Sequence, residues 1–136
     1  MLKKISHVAF AVVNMDRACE FYREVLGAKI VGRKEVPEQK SEVAFVEMGG
    51  TAKLELISPT SDDSPVKRFL DKKGPGIHHI CFEVDGIEER LHYLHDHGVR
   101  LVDDQPRTGA EGDKIAFLHP SSTLGALVEL TESSKD

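Results

Sequence analysis

Long apolar runs and cysteines are scarce in this sequence. No segment of its 136 residues approaches the roughly 20 consecutive apolar residues that a membrane helix needs, and no signal-peptide core follows the opening MLKKIS. The two cysteines, Cys19 and Cys81, do not form a CxxC motif, and such a pair in a cytosolic chain usually stays reduced and buried. We therefore expect a cytoplasmic protein that has no disulfide framework and no membrane partner.

Basic residues are outnumbered and dispersed. The sequence has 18 Lys and Arg residues against 23 Asp and Glu residues, which gives a formal net charge of -5. Nucleic acid is not an expected partner, because nucleic-acid-binding domains usually carry a basic stripe or patch. A local basic rim for an acidic small molecule, such as a nucleotide, is compatible with this composition. With 40% hydrophobic residues, the chain can bury the core of one ordinary domain, which we predict to span residues 1–136.

The chain contains an internal repeat. Four stretches recur in the same order at offsets of 71 to 74 residues. Three of them are strand-like: HVAFAV matches HICFEV, VAFVE matches IAFLH, and KLELI matches LVELT. The fourth is a helical pattern of apolar residues, which ends at Gly27 in the first half and at Gly98 in the second. Each half is therefore predicted to contain a strand, a helix and three strands, with module one at about 5–58 and module two at about 77–131. Between them, Ser64 and Pro65 predict the start of a linking helix over about 64–73, which Gly74 ends.

The predicted boundaries of the elements follow from these patterns. In module one they are strands at Ile5–Val13, Ala28–Lys34, Val43–Met48 and Lys53–Ser58, and a helix at Asp16–Leu26. In module two they are strands at Ile77–Val84, Arg100–Asp103, Lys114–Leu118 and Ala126–Thr131, and a helix at Ile87–His97.

Strand alternation assigns the side chains of the repeat to two faces. Successive side chains of a strand point to opposite faces, so His78 shares a face with Phe82 and Val84, whereas His79 shares one with Cys81. The apolar face is expected to pack on the helices in both modules. The other face holds residues that are small or of ligand type, as a cavity needs: His7, Ala9, Ala11, Glu55, His79, Cys81 and Glu129.

Each module supplies one histidine from its first strand and one glutamate from its last. A pseudo-twofold arrangement would bring together the four side chains of His7, Glu55, His79 and Glu129. Nitrogen and oxygen ligands suit zinc, cobalt, nickel, manganese or iron, and the absence of thiolate argues against a purely structural zinc site. One such residue alone is more often a solvated strand end. Four of them at repeat-equivalent positions favour a divalent metal site.

The remaining histidines are predicted to have structural roles. The stretch LHYLHDHG contains His92, His95 and His97, which its pattern places on the wet face or at the C-terminal turn of a helix, where a cation is favourable. His119 is expected at a strand end or at the rim of the cavity. A catalytic role for Cys81, which shares the cavity face with His79, is kept only as a minor alternative.

The chain resembles the methylmalonyl-CoA epimerases of the vicinal oxygen chelate superfamily, which also includes glyoxalase I and extradiol dioxygenases. The stretches HVAFAV, EVPEQKSEVAFVEMG, KLELISP, KIAFLHP and GALVELTE carry the likeness over nearly the whole chain, and DSPVKRFLDKKGPGIHHICFEVD is its most specific part. The resemblance implies an α+β fold, in which two pseudo-symmetric βαβββ modules form one curved mixed sheet around a metal-binding cleft.

The same resemblance implies the roles of individual residues. The metal ligands would be His7, Glu55, His79 and Glu129, although some of these epimerases have Gln at the position of Glu55. The implied cofactor is one divalent ion per chain, with cobalt expected and zinc, nickel or manganese as alternatives. The implied reaction is epimerisation at C2 of an acyl-CoA substrate, methylmalonyl-CoA, by proton abstraction and return through an enolate, and a homodimer is the expected assembly.

The resemblance also implies two acid/base groups for the proton transfers. Glu129 is the first, and Glu42 is the candidate for the second, because Ala44 occupies the position aligned with the family's glutamate and Glu42 has the same parity. Glu47 has the opposite parity and is expected to point toward the helices or the strand end.

Three other functions compete with this interpretation. A glyoxalase I-type lactoylglutathione lyase would use the same metal and the same proton-transfer logic. A small-molecule-sequestering protein would use the same modules without a metal. Extradiol dioxygenase is least favoured, because that chemistry uses two histidines and one carboxylate with open positions for oxygen.

Overall fold

The computed structural model describes residues 2–132, and within that range it contains eight strands and three α-helices. The strands are β1 Leu2–Ala11, β2 Lys29–Val36, β3 Ser41–Glu47, β4 Lys53–Pro59, β5 Gly76–Val84, β6 Arg107–Thr108, β7 Lys114–Leu118 and β8 Val128–Glu132. The helices are α1 Met15–Glu20, α2 Pro65–Lys73 and α3 Ile87–Asp96. The predicted order of strand, helix and three strands is therefore present in both halves. No helix in this part of the chain has the length and apolarity required to cross a bilayer.

The chain divides into two compact units. The first unit is His7–His78, and the second consists of the residues before His7 and those after His78. Strand β1 therefore contributes its first residues to the second unit, where Lys3 lies 3.6 Å from Glu83 and 3.2 Å from Asp85. The remainder of β1 belongs to the first unit.

The first unit contains a mixed sheet in the order β2, β3, β4, β1. Strand β1 runs parallel to β4, and the other neighbours are antiparallel. In this register Ala9 of β1 and Phe45 of β3 both lie opposite Glu55 of β4. The face that carries Glu55 is therefore shared by alternate residues of three strands.

Helix α1 covers the other face of this sheet. The side chain of Asn14 caps its first turn by accepting the Arg17 N–H at 3.0 Å. The predicted helix does not continue regularly to Leu26, because Phe21–Val25 forms a π-helical turn. The predicted apolar face of the strands is confirmed, since the residues that pack together on the helix side are Val8, Phe10, Val12, Met15, Cys19, Ala44, Val46, Leu54 and Leu56.

The linking helix has the predicted ends. Ser64 Oγ accepts the Val66 N–H at 3.1 Å, and Pro65 is the first helical residue, where its missing N–H costs no hydrogen bond. Gly74 ends the helix with a φ of 78°, a backbone conformation that glycine adopts without strain.

The second unit repeats this plan with a smaller sheet. Strand β5 runs parallel to β8, which is antiparallel to β7, and β7 is antiparallel to β6. Helix α3 packs through Ile87 and Leu91 on a cluster whose sheet residues include Val84, Ala116 and Leu130. The predicted apolar face is again the helix side.

The strand predicted at Arg100–Asp103 is wrong. This segment makes only an isolated bridge, between Leu101 and Leu118, and the edge strand of the unit is the two-residue β6. Two features limit the backbone pairing of this segment with β7. The Asp103 carboxylate accepts the N–H of Phe117 at 2.8 Å in place of a backbone carbonyl, and Pro106 has no N–H to donate.

Candidate metal and catalytic site

The first unit holds one histidine–glutamate pair. His7 lies on β1 and Glu55 on β4, and the register Ala9–Glu55 makes them diagonal neighbours on the face opposite α1. His7 Nδ1 is 3.4 Å from Glu55 Oε2, and the two side chains are 12% and 13% exposed. The next residues on this face of β1 are Ala9 and Ala11, which are small and buried. A mostly buried imidazole and carboxylate therefore point to the same place.

The second unit holds an equivalent pair, in which the other imidazole nitrogen approaches the carboxylate. His79 lies on β5 and Glu129 on β8, and the register Cys81–Glu129 again makes them diagonal neighbours. His79 Nε2 is 3.0 Å from Glu129 Oε1, and the side chains are only 6% and 7% exposed. The edge of the Phe117 ring lies against the imidazole, with 5.4 Å between the ring centroids. The internal repeat has thus placed the same two residue types in the same relation twice.

The donor atoms of these pairs fit a divalent metal ion. Each unit offers one imidazole nitrogen and one carboxylate oxygen, and this set suits borderline metals such as zinc, cobalt and nickel. Burial favours such a role, because a carboxylate that is largely removed from water needs a cation or strong donors to stabilise its charge. Each unit thus brings together its own two predicted ligands.

The neighbouring histidine of β5 is not part of this arrangement. The ring of His78 packs against Phe69 of α2, with 4.8 Å between the centroids. The parity argument for residues 78 and 79 is therefore confirmed: His78 contacts a helix, whereas His79 contacts Glu129.

Comparison with known proteins identifies the family. The model of the Glyoxalase/Bleomycin resistance protein/Dioxygenase superfamily matches residues 6–117. The mitochondrial methylmalonyl-CoA epimerase of Mus musculus is 41% identical over 133 residues, which are 97% of this chain and 74% of that protein. The ethylmalonyl-CoA/methylmalonyl-CoA epimerase of Cereibacter sphaeroides is 37% identical over 97% of this chain and 99% of that protein. The chain belongs to the methylmalonyl-CoA epimerase family.

A solved structure of the epimerase family has the same fold. A variant of the Streptomyces coelicolor methylmalonyl-CoA epimerase, in complex with 2-nitronate-propionyl-CoA, is 35% identical and matches with a TM-score of 0.92. The match covers 99% of this chain and 97% of that chain. The predicted α+β fold of paired βαβββ modules is confirmed, and membership of the epimerase family makes the protein an isomerase.

The other histidines lie where a helix or a turn explains them. His92 and His95 of α3 are 80% and 74% exposed, and each lies within 4 Å of the Asp96 carboxylate. The ring of His97 stacks on Tyr93 with 3.9 Å between the centroids. His119 caps a 3-10 turn by accepting the N–H of Ser121 at 3.0 Å. Both cysteines are buried and unbridged, and burial raises the pKa of the Cys19 thiol.

The predicted position of Glu42 is wrong. In the β3–β4 register Glu42 lies opposite Ser58, two residues from the Ala44–Leu56 pair, and therefore on the face covered by α1. Its carboxylate accepts hydrogen bonds from Arg33 Nε at 2.8 Å and from Nη2 at 3.2 Å. Arg33 also binds Asp16 of α1 at 2.7 Å, and these two carboxylates raise the pKa of its guanidinium.

Glu47 lies on the opposite face from Glu42. Residues 43, 45 and 47 alternate with Ala44 and Val46, and Phe45 is opposite Glu55 in the register. Glu47 therefore shares the face of the candidate ligand Glu55 and does not face the helices, which was one of its two predicted positions; the other was the strand end. It stands at the exposed end of β3, opposite Lys29.

One aromatic residue in each unit is part of the site but was not predicted from the sequence. Phe45 is opposite Glu55, and Phe117 is opposite Glu129, so that a phenyl ring stands beside each candidate ligand. The signal was present in the repeat, because VAFVE and IAFLH align these two phenylalanines. Such rings exclude water and strengthen electrostatic interactions with the carboxylates.

Proposed function

We propose that this protein is a metal-dependent epimerase that inverts C2 of methylmalonyl-CoA, with His7, Glu55, His79 and Glu129 as the metal ligands. The observation that carries the proposal is the repeated pair. Each unit aligns an imidazole with a carboxylate, at 3.4 Å for the mostly buried pair His7–Glu55 and at 3.0 Å for the buried pair His79–Glu129. Two relatives that are 37% and 41% identical over 97% of this chain are epimerases whose names include this substrate.

The four side chains supply the charge and the donors that the reaction needs. When bound, a divalent ion would polarise the thioester carbonyl and stabilise the negative charge that develops on deprotonation. Glu55 in place of a neutral amide adds a second negative charge to the ligand set, which would favour ion binding and reduce Lewis acidity. Phe117 and the small residue Ala9 add apolar surface beside the ligands.

Glu129 is proposed to move the proton on one side of C2. It takes the C2 proton, the electron pair of the C–H bond passes into the enolate, and an acid on the other side returns a proton to C2. The net change is inversion, with no change in composition or oxidation state. The contact with His79 orients the Glu129 carboxylate, because one of its oxygens is fixed at 3.0 Å from the imidazole.

The second acid/base group is one of two glutamates of β3. Glu42 was the candidate from the resemblance, and its carboxylate is bound by Arg33 on the helix face. Glu47 shares the face of Glu55 and belongs to the same strand. Substitution of each one in turn distinguishes them, because only loss of the acid/base group abolishes inversion.

Three further parts of the proposal rest on the resemblance. We propose cobalt as the preferred ion, with zinc, nickel and manganese as alternatives, because all of them accept mixed nitrogen and oxygen ligands. We also propose a homodimer as the assembly and the cytoplasm as the location. Elemental analysis, analytical ultracentrifugation and fractionation of the source cells test these three statements separately.

The decisive experiment is proton exchange at C2 of methylmalonyl-CoA in deuterated water. We expect cobalt-loaded protein to incorporate deuterium and to convert each epimer into the other, and we expect H79A to do neither. Turnover of the glutathione hemithioacetal without exchange at C2 would instead support a lactoylglutathione lyase. Failure to retain any metal, together with no turnover of either substrate, would support a small-molecule-sequestering protein.

A further inference from the structure

Arg107 of β6 lies on the same face of its unit as the His79–Glu129 pair. It is opposite Ile115 of β7 in the register, and Phe117, two residues further along β7, is opposite Glu129. Residues opposite each other, or two apart, point to the same face of a sheet. The helix side of β7 is formed by Ala116 and Leu118, so Arg107 is on the face away from α3.

Contacts hold the Arg107 guanidinium in one position. It lies over the ring of Phe117, 5.6 Å from the centroid, and this ring in turn stands edge-on to His79. Asp103 Oδ1 accepts its Nε–H at 3.0 Å, while Oδ2 of the same carboxylate accepts the N–H of Phe117. The Asp103 carboxylate therefore holds both the Arg107 guanidinium and the backbone of Phe117, the residue on whose ring the guanidinium stacks.

The guanidinium keeps donors for a ligand. An arginine has five N–H donors, and the hydrogen bond to Asp103 uses one of them. Over residues 2–132, Asp103 is the sole acidic partner of Arg107, and the side chain is 43% exposed. The two terminal amino groups are thus available in the fork geometry that matches carboxylate or phosphate oxygens.

The first unit has a cation at the equivalent position. Lys34 of β2 is opposite Val43 of β3 in the register, as Arg107 is opposite Ile115. Val43 and Ile115 are equivalent in the repeat, at an offset of 72 residues. Both modules therefore have a basic residue on the edge strand, on the same face as the histidine–glutamate pair.

We infer that Arg107 binds an anionic group of the acyl-CoA substrate and thereby positions it beside the His79–Glu129 pair. This inference rests on the proposed function. The substrate carries two kinds of anionic oxygen groups, the free carboxylate of the acyl part and the phosphates of CoA. Because one aromatic ring separates the guanidinium from His79, a phosphate is expected to be the bound group, since the acyl carboxylate would lie at the metal ligands themselves.

A purely structural role is the competing explanation. The Asp103–Arg107 ion pair could simply close the segment between its two residues. In that case substitution of Arg107 would lower the thermal midpoint without a selective effect on substrate binding. Substrate recognition predicts the opposite pattern: an unchanged fold, a higher KM and a nearly unchanged kcat.

The test compares R107M and R107K with R90M as a matched control. Arg90 also stacks on an aromatic ring, Tyr93 at 5.4 Å, but it belongs to α3. We expect R107M to raise KM for methylmalonyl-CoA by about tenfold or more, the loss typical of one charge-assisted hydrogen bond, and to leave kcat within about twofold. R107K should recover only part of the loss, because it keeps the charge but not the fork of the guanidinium, and R90M should match the wild type.

Calorimetric titration with free coenzyme A separates the two anionic groups and does not depend on turnover. Weaker binding of coenzyme A by R107M identifies a phosphate as the partner. An unchanged affinity for coenzyme A, with a raised KM for methylmalonyl-pantetheine, identifies the acyl carboxylate. If both quantities equal the wild-type values, the inference is wrong. If the wild type binds coenzyme A through Arg107 but does not epimerise, the proposed reaction fails while the anion site stands.

Discussion

His78 and His79 are consecutive residues of β5, and their rings have entirely different partners. The ring of His78 packs on Phe69 of α2, whereas His79 Nε2 lies 3.0 Å from the Glu129 carboxylate. The alternation of a strand is sufficient to produce this difference. One residue contributes to packing, and its neighbour is available for chemistry.

Substitution of these two histidines should separate metal binding from stability. We expect H79A to lose the metal, because it removes one of the four proposed ligands. H78A should retain about one metal ion per chain and lose thermal stability, because it leaves Phe69 without its aromatic contact. Elemental analysis and thermal melts of both variants provide the measurement, and the reverse pattern would contradict the assignment of the faces.

The glutamates of the site should differ in the same kind of test. E129Q is expected to lower turnover by roughly 10²–10⁴-fold, the usual effect of removing a positioned acid/base group, and to weaken metal binding.

E47Q should lower inversion more than E42Q does, because Glu47 shares the face of Glu55. E42Q should mainly reduce stability by about 1 kcal/mol through loss of the Arg33 ion pair. A selective loss of inversion in E42Q would instead assign the second acid/base role to Glu42.

The three histidines of the α3 segment should be dispensable for chemistry. We expect replacement of His92, His95 and His97 together by glutamine to leave metal content and turnover unchanged, since the partners of these side chains, Asp96 and Tyr93, belong to α3 and not to the strands of the site. A modest loss of stability is expected from the Tyr93–His97 stack. Loss of the metal from this triple variant would overturn the location of the site.

Asp63 should have a low pKa that depends on one lysine. Hydrogen bonds from Lys40 and Ser61 lower the pKa of the Asp63 carboxyl from 3.8 to about 2. Because the folded-state pKa is depressed, its contribution to stability is complete above pH 3.8 and is lost as the pH falls through about 2. Carbon NMR titration should show a return towards 3.8 in K40M. K67M is the control, since Lys67 binds Asp71 instead.

The parts of the fold that the sequence predicted well are those with a strong local signal. Ser64, Pro65 and Gly74 are residues with definite positional preferences, and they bound α2 as expected. Strand β7 has its predicted ends, Lys114 and Leu118, and the repeat located both ligand pairs. The two histidine–glutamate pairs could be predicted because each position occurs twice in the repeat.

The wrong predictions concern segments in which the alternation of apolar and polar residues does not distinguish the two faces of a strand. Strand β3 is buried on both faces, with Val43, Ala44 and Val46 all nearly inaccessible, so its sequence does not reveal which face Glu42 occupies. The segment at 100–103 failed for a different reason. There a side chain, Asp103, replaced a backbone partner of Phe117, and no periodicity in the sequence reports such a substitution.

The division of β1 between two units has a consequence for synthesis of the protein. The first unit, His7–His78, is a continuous segment, and it can form as soon as the ribosome has released it. The second unit can be completed only after the nascent chain has reached Glu83 and Asp85, the partners of Lys3. Until then the strand segment 2–6 lacks these partners, and Leu2 and Ile5 are exposed even in the final fold. A chaperone that acts during translation would therefore find an apolar binding segment in residues 2–6.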